Sequence, residues 1–215
     1  MSIRYYLYIS DAKVDMLLSQ IDPSFAGRRT TEAGMSLKLF SFKRSVEASA
    51  PDRVARLERV LAYLREHEQT GSVDDPGPYF RGTLPMQWGP LRGEGGGSTV
   101  YFGGRTARTI VGLGGAGSHV FGGSAPQDPV FAASSMPSLL AGLAAAFAAD
   151  GVEMPTDPSA LAWVHSAGRL LRGPAQSVEF VARRLLEGAS PYPELDPRPD
   201  MRVLLGSPLY VAMAD

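Results

Sequence analysis

Residues 73–89, VDDPGPYFRGTLPMQWG, and residues 98–123, STVYFGGRTARTIVGLGGAGSHVFGG, decide how this chain folds. After an Asp-Asp-Pro-Gly turn, short apolar runs alternate with glycines and arginines, and runs bounded in this way read as hairpin-connected strands. The stretch from Gly71 to Gly123 holds 16 of the chain's 24 glycines. Glycine is required where backbone takes positive φ or where another group must come close. A functional site is therefore expected in this block.

On the N-terminal side, Ile3 to Ile9 is rich in Tyr and Ile and reads as a strand, placed centrally because both faces are apolar or aromatic. Ser10 caps a helix in which Val14, Leu17, Leu18 and Ile21 form one apolar stripe. A loop from Asp22 to Gly34 carries Arg28 and Arg29, and Ser36 to Phe42 alternates as a second strand. Ser49 to Asp52 has the form of a capping box, and Val54, Leu57, Leu61 and Leu64 face inward along the helix it opens. Arg53, Arg56, Arg59, Glu66 and Glu68 make its opposite, solvated face, and Gly71 closes it.

On the C-terminal side, Pro137 to Ala149 is an alanine-rich helix with Leu139, Leu140, Leu143 and Phe147 at helical spacing. Pro158 opens a further helix to Leu171, and beyond Gly173-Pro174 the residues Val178, Val181, Leu185 and Leu186 continue an amphipathic stripe to Gly188. Pro191 to Pro199 reads as an extended connector. Residues 201–213 return as an apolar strand with a turn or bulge at Gly206-Ser207-Pro208. The fold class expected is α+β: a mainly antiparallel sheet with flanking amphipathic helices in a single domain, 1–215. Within it lie a glycine-rich strand block at 71–123, a helical segment at 137–188 and a C-terminal strand at 201–213.

Composition narrows the function. With 215 residues, 44% hydrophobic and 20% charged, the chain can bury a sizeable core. A net charge of −1 and a pI near 6.3 argue against general nucleic-acid binding, which needs a dedicated basic face. Cysteine is absent, which removes disulfides, thiolate nucleophiles and cysteine-ligated metals. His67, His119 and His165 are not spaced as metal ligands, so no metal site is expected, and no motif names a cofactor. Residues 129–149 carry no charge but are interrupted and alanine-rich, so no membrane span is expected.

Several positions carry chemistry. Arg105 and Arg108, with the glycine-rich backbone, make a concave anion site in one reading and flank a solvated hairpin turn in the other. Arg81 and His119 complete the ligand-binding candidates. Asp74 and Asp75 serve acid/base chemistry or a cation in one reading and cap a turn in the other. Gly112, Gly114 and Gly117 spell GxGxxG after a strand, but the sequence beyond them cannot form the helix a dinucleotide fingerprint requires.

The opener YYLYISDAKVDMLLSQI, the segment DDPGPYFRGTLPMQWG, the block VYFGGRTARTIVGLGG and the end VLLGSPLYVAMAD together resemble an uncharacterised bacterial family of about this length, found chiefly in actinomycetes. The resemblance spans most of the chain. It implies a bacterial source and a cytoplasmic location, and it transfers no catalytic role. The expected function is a binding module for a small anionic ligand, nucleotide-like ones included, or for a protein partner. The alternative is a hydrolase or transferase on a phosphorylated or nucleotide-like substrate, with His119 as base and Asp74 or Asp75 beside it. A second alternative is a subunit of a homo-oligomer joined through the helix at 137–149.

Overall fold

The computed structural model describes residues 4–22, 50–67, 69–91, 99–122 and 136–214. The strand expected at Ser36 to Phe42, the loop with Arg28 and Arg29, and the cap at Ser49 lie outside the described residues. The chain divides into two compact units, Asp11–Glu68 and the remainder.

The smaller unit pairs α1 (Asp11–Ile21) with α2 (Ala50–Glu66). Val14 and Leu18 of α1 and Leu57, Val60, Leu61 and Leu64 of α2 are buried, close to the stripes that helical periodicity predicts. The arginine face of α2 is not the solvated face expected. Arg53 donates to Asp11 at 2.9 Å, Arg56 pairs with Asp15, and Arg59 donates to Asp22 at 2.6 Å. Only Arg59 is largely exposed; the Arg53 and Arg56 side chains retain 19% and 12% of their accessibility. The ladder forms because the acids of α1 and the arginines of α2 recur every three, four or seven residues along facing helices. The helix ends at Glu66, and Gly71 lies in the next strand instead of closing α2.

The larger unit contains β1 (Tyr6–Ile9), β2 (Thr70–Ser72), β3 (Tyr79–Leu91), β4 (Thr99–Arg105), β5 (Thr109–Ala116), α3 (Met136–Ala149), α4 (Ala160–Ser166), β6 (Gln176–Ala189) and β7 (Arg202–Met213). Strand pairing closes β3-β4-β5-β7-β6 into a five-stranded barrel, because β6 joins β7 on one edge and β3 on the other. The α+β class stands, but the sheet is mixed: β5 pairs with β7 in parallel, and so does β2 with β3. β1 is terminal in the sheet order and not central; its aromatic content reflects Tyr8, which is fully buried in the barrel's core.

Alternation along the strands sorts the side chains into two layers. Phe80, Leu84, Met86, Val100, Phe102, Val111, Leu113, Val178, Phe180, Leu204 and Val211 form one core, inside the barrel. Intervening residues such as Tyr101, Val203 and Leu205 face outward and pack with Leu139, Leu143 and Phe147 of α3 and Val164 of α4. The apolar face of α3 is thus buried within this chain. Burying each large side chain contributes roughly 1.5–3 kcal/mol relative to exposure.

The glycines within β4 and β5 serve packing, not turning. Among the described glycines, positive φ occurs only at Gly122, Gly151 and Gly173. Gly112 and Gly114 are extended residues of β5, and a Cβ on them would collide with the Tyr101 hydroxyl and with Leu139 respectively. Gly112 and Gly114 of the GxGxxG spacing are therefore seats for side chains of the outer layer.

The segment 176–189 is strand β6, not the end of a helical segment reaching 188. One residue, Leu185, is extra relative to β7, since Arg184 pairs with Gly206 and Leu186 with Leu205. Such a bulge shifts the phase of alternation. Apolar residues at 178, 180 and 182 followed by 185 and 186 then imitate a helical stripe. A second slip, between Val181 and Ala182, leaves Leu209 extra on β7 beside Pro208, where the sequence signals a break.

Candidate functional site

β3 has to change partners along its length. Its first part pairs with β6 as far as Met86 opposite Gln176, and its last part pairs with β4 from Met86 opposite Gly104. Pro85, which has no N–H to donate, sits at this fork. Beyond it, side chains replace the ladder: Gln87 Nε2 donates to the Gly173 carbonyl at 2.6 Å, and Trp88 Nε1 donates to Gln176 Oε1 at 3.1 Å. At this fork the outer wall of the barrel opens into a cleft of about 540 Å³, within the range typical of small-molecule sites.

Apolar side chains, among them Ile110, Val164 and Leu195, line much of the cleft, together with the backbone of Gly103 and Gly104. Its polar groups are Gln87, Arg105, His165 and Asp196. Tyr101 lies at its base, and burial pushes the phenol well above its usual range. That hydroxyl is kept as a neutral packing group.

Arg105 is the last residue of β4, and the turn after it is fixed by a hydroxyl-carboxylate network. Thr106 Oγ1 accepts from the backbone N–H groups of Arg108 and Thr109 at 3.1 and 2.9 Å. Asp74 accepts from the hydroxyls of Thr106 and Thr109 at 2.7 and 2.8 Å and lies 3.5 Å from Arg108. Partial burial raises the Asp74 pKa, but the two hydroxyls and Arg108 outweigh it, and the carboxyl is held below its usual range. Asp74 and Arg108 therefore brace the turn, and Arg105 is left for the cleft. Among the described residues no carboxylate pairs with Arg105.

His165 enters from α4. Ser159 caps this helix by accepting from Ala162 N–H at 3.3 Å, and Asp157 accepts from Ser159 N–H at 2.7 Å. The connector 191–199 is not extended: Leu195 N–H bonds to the Tyr192 carbonyl at 3.0 Å, and Met201 N–H to that of Arg198 at 3.3 Å. Tyr192 accepts from Asp157 N–H at 3.1 Å and sets its ring edge-on to His165, with 5.2 Å between centroids. The turn brings Asp196 Oδ1 to 2.8 Å from His165 Nε2. The side chains retain 13% and 2% accessibility, and Asp196 Oδ2 is buried with no hydrogen-bond partner among the described residues.

The other sequence candidates fall elsewhere. His119 ends a 3₁₀ turn beyond β5 and packs edge-on against Tyr8 at 5.9 Å. Asp74 is bonded to Thr109 at the opposite end of that strand, about 20–25 Å away at the usual strand rise. The two are not a dyad. Asp75 closes a turn, its carbonyl accepting from Ser72 N–H at 3.1 Å, and Arg81 is exposed on β3. His165 and Asp196, 31 positions apart, were not legible as a pair; a lone histidine on the apolar helix ALAWVHS is the one hint that a partner was needed.

Among the described residues no group of three His, Cys, Asp or Glu could hold a metal, and no helix is long and apolar enough to cross a membrane. Residues 4–215 match the profile of a family of unknown function, DUF7019. No curated protein and no solved structure matches the chain.

Proposed function

The chain belongs to DUF7019, a family of unknown function, and from its geometry we propose that it binds a small anionic ligand in the cleft at the fork of β3. The observation that carries this reading is Arg105 standing, among the described residues, without a carboxylate partner on the wall of a largely apolar cleft of about 540 Å³. Arg105 is exposed at the cleft's edge, and its planar guanidinium offers a fork that matches carboxylate or phosphate oxygens.

The reading separates two arginines that look equivalent in sequence. Thermal unfolding of the full chain is to be followed with inorganic phosphate, citrate and adenosine monophosphate. At least one should raise the midpoint; a ligand at 100 times its Kd adds about 2.7 kcal/mol. Arg105→Ala should abolish that rise, whereas Arg108→Ala, outside the cleft, should keep it. Equal shifts in wild type and Arg105→Ala would sink the proposal.

A further inference from the structure

Anion pairing by Arg105 leaves the most buried charged group of the cleft unused. The Asp196 carboxylate is withdrawn from water with one oxygen on His165 and the other on no group among the described residues. A buried carboxylate in that position is compensated chiefly by the imidazole it faces. The contact therefore orients the ring and holds the Nε2 proton towards Asp196, so Nδ1 becomes the acceptor of the neutral tautomer. Among the described residues Nδ1 has no hydrogen-bond partner. Tyr192 supports the ring from its side.

A base oriented by a buried carboxylate, in one cleft with a guanidinium that no described carboxylate pairs with, is the set of groups that hydrolysis of an anionic ester requires. Resting on the anion-binding reading above, we propose that the cleft is a catalytic site for phosphate esters, with His165 as general base, Asp196 as its positioning residue and Arg105 on the non-bridging oxygens. Water supplies the nucleophile. Its oxygen bonds to phosphorus as His165 Nδ1 takes its proton, and the bond from phosphorus to the ester oxygen breaks. The proton then passes from His165 to the departing alkoxide, giving the alcohol and the phosphate. The electron count is unchanged, and no further reactant is consumed.

The test is release of p-nitrophenolate from p-nitrophenyl phosphate and bis(p-nitrophenyl) phosphate by the full chain. Wild type should turn over at least one ester, and His165→Ala should lower the rate by about 10²- to 10⁴-fold while keeping stabilisation by inorganic phosphate. His165→Gln, which retains a donor for Asp196, should be equally inactive and guards against a folding defect. Asp196→Asn should lower kcat with little change in KM, as expected for a residue acting through His165. Equal rates in wild type and His165→Ala would overturn the proposal. So would a wild type that phosphate stabilises but that hydrolyses neither ester. A wild type neither stabilised nor active would overturn the anion-binding reading as well.

Discussion

A methyl group on Gly112 would meet the Tyr101 hydroxyl and approach Val164 to 2.9 Å, whereas one on Gly89 would meet nothing within 4 Å. Gly112→Ala should therefore cost about 1–3 kcal/mol, the range for overpacking a filled core, and Gly89→Ala should be close to neutral; paired denaturant titrations check both. Asp74 gives a second single-residue prediction. Its folded-state pKa lies below the unfolded value, so its contribution is fully present above the ordinary carboxylate range near 3.9 and is lost as pH falls through the lower, folded value. Asp74→Ala should cost on the order of 1 kcal/mol at neutral pH, and its gap from wild type should narrow in urea melts below about pH 4. At this scale the sequence marks Arg105 and Arg108 as a pair of ligand-binding candidates and Asp74, with Asp75, as a separate turn or acid/base candidate. It cannot distinguish the arginine that braces the turn from the one at the cleft, since that depends on two threonine hydroxyls reaching a carboxylate more than 30 positions away.

Helices α1 and α2 show what periodicity does and does not reveal. Their apolar stripes are readable because burial repeats with the helical turn, but the fate of the charged face depends on which helix lies opposite. Double-mutant cycles should expose the difference along the ladder. The Arg56–Asp15 pair, with both side chains largely buried, should couple by about 1–3 kcal/mol, and the Arg59–Asp22 pair, with Arg59 at 61% accessibility, by less than about 1 kcal/mol. β6 is the opposite lesson. Its helical look comes from a one-residue bulge at Leu185, and a bulge is a property of pairing with β7 that no local window contains.

For the whole molecule, hairpin spacing makes β3, β4 and β5 legible, but closure of the barrel is not, because it needs the parallel junction of β5 with β7 across some 90 intervening residues. The cleft inherits that difficulty. Pro85 and the Gly173-Pro174 break are visible in the sequence, yet they define an opening only once β6 is known to leave β3 where β4 joins it. His165 and Asp196 reach the same place from a helix and a turn that follow the strand block. The central claim, that this cleft holds a small anion through Arg105, is most directly tested by native mass spectrometry of wild type and Arg105→Ala purified from a bacterial host, each compared with its denatured mass. The account predicts extra mass of an anionic small molecule on the native wild type, lost on denaturation and absent from Arg105→Ala. The same adduct on both proteins, or a bare mass for wild type even with millimolar phosphate added, would contradict it.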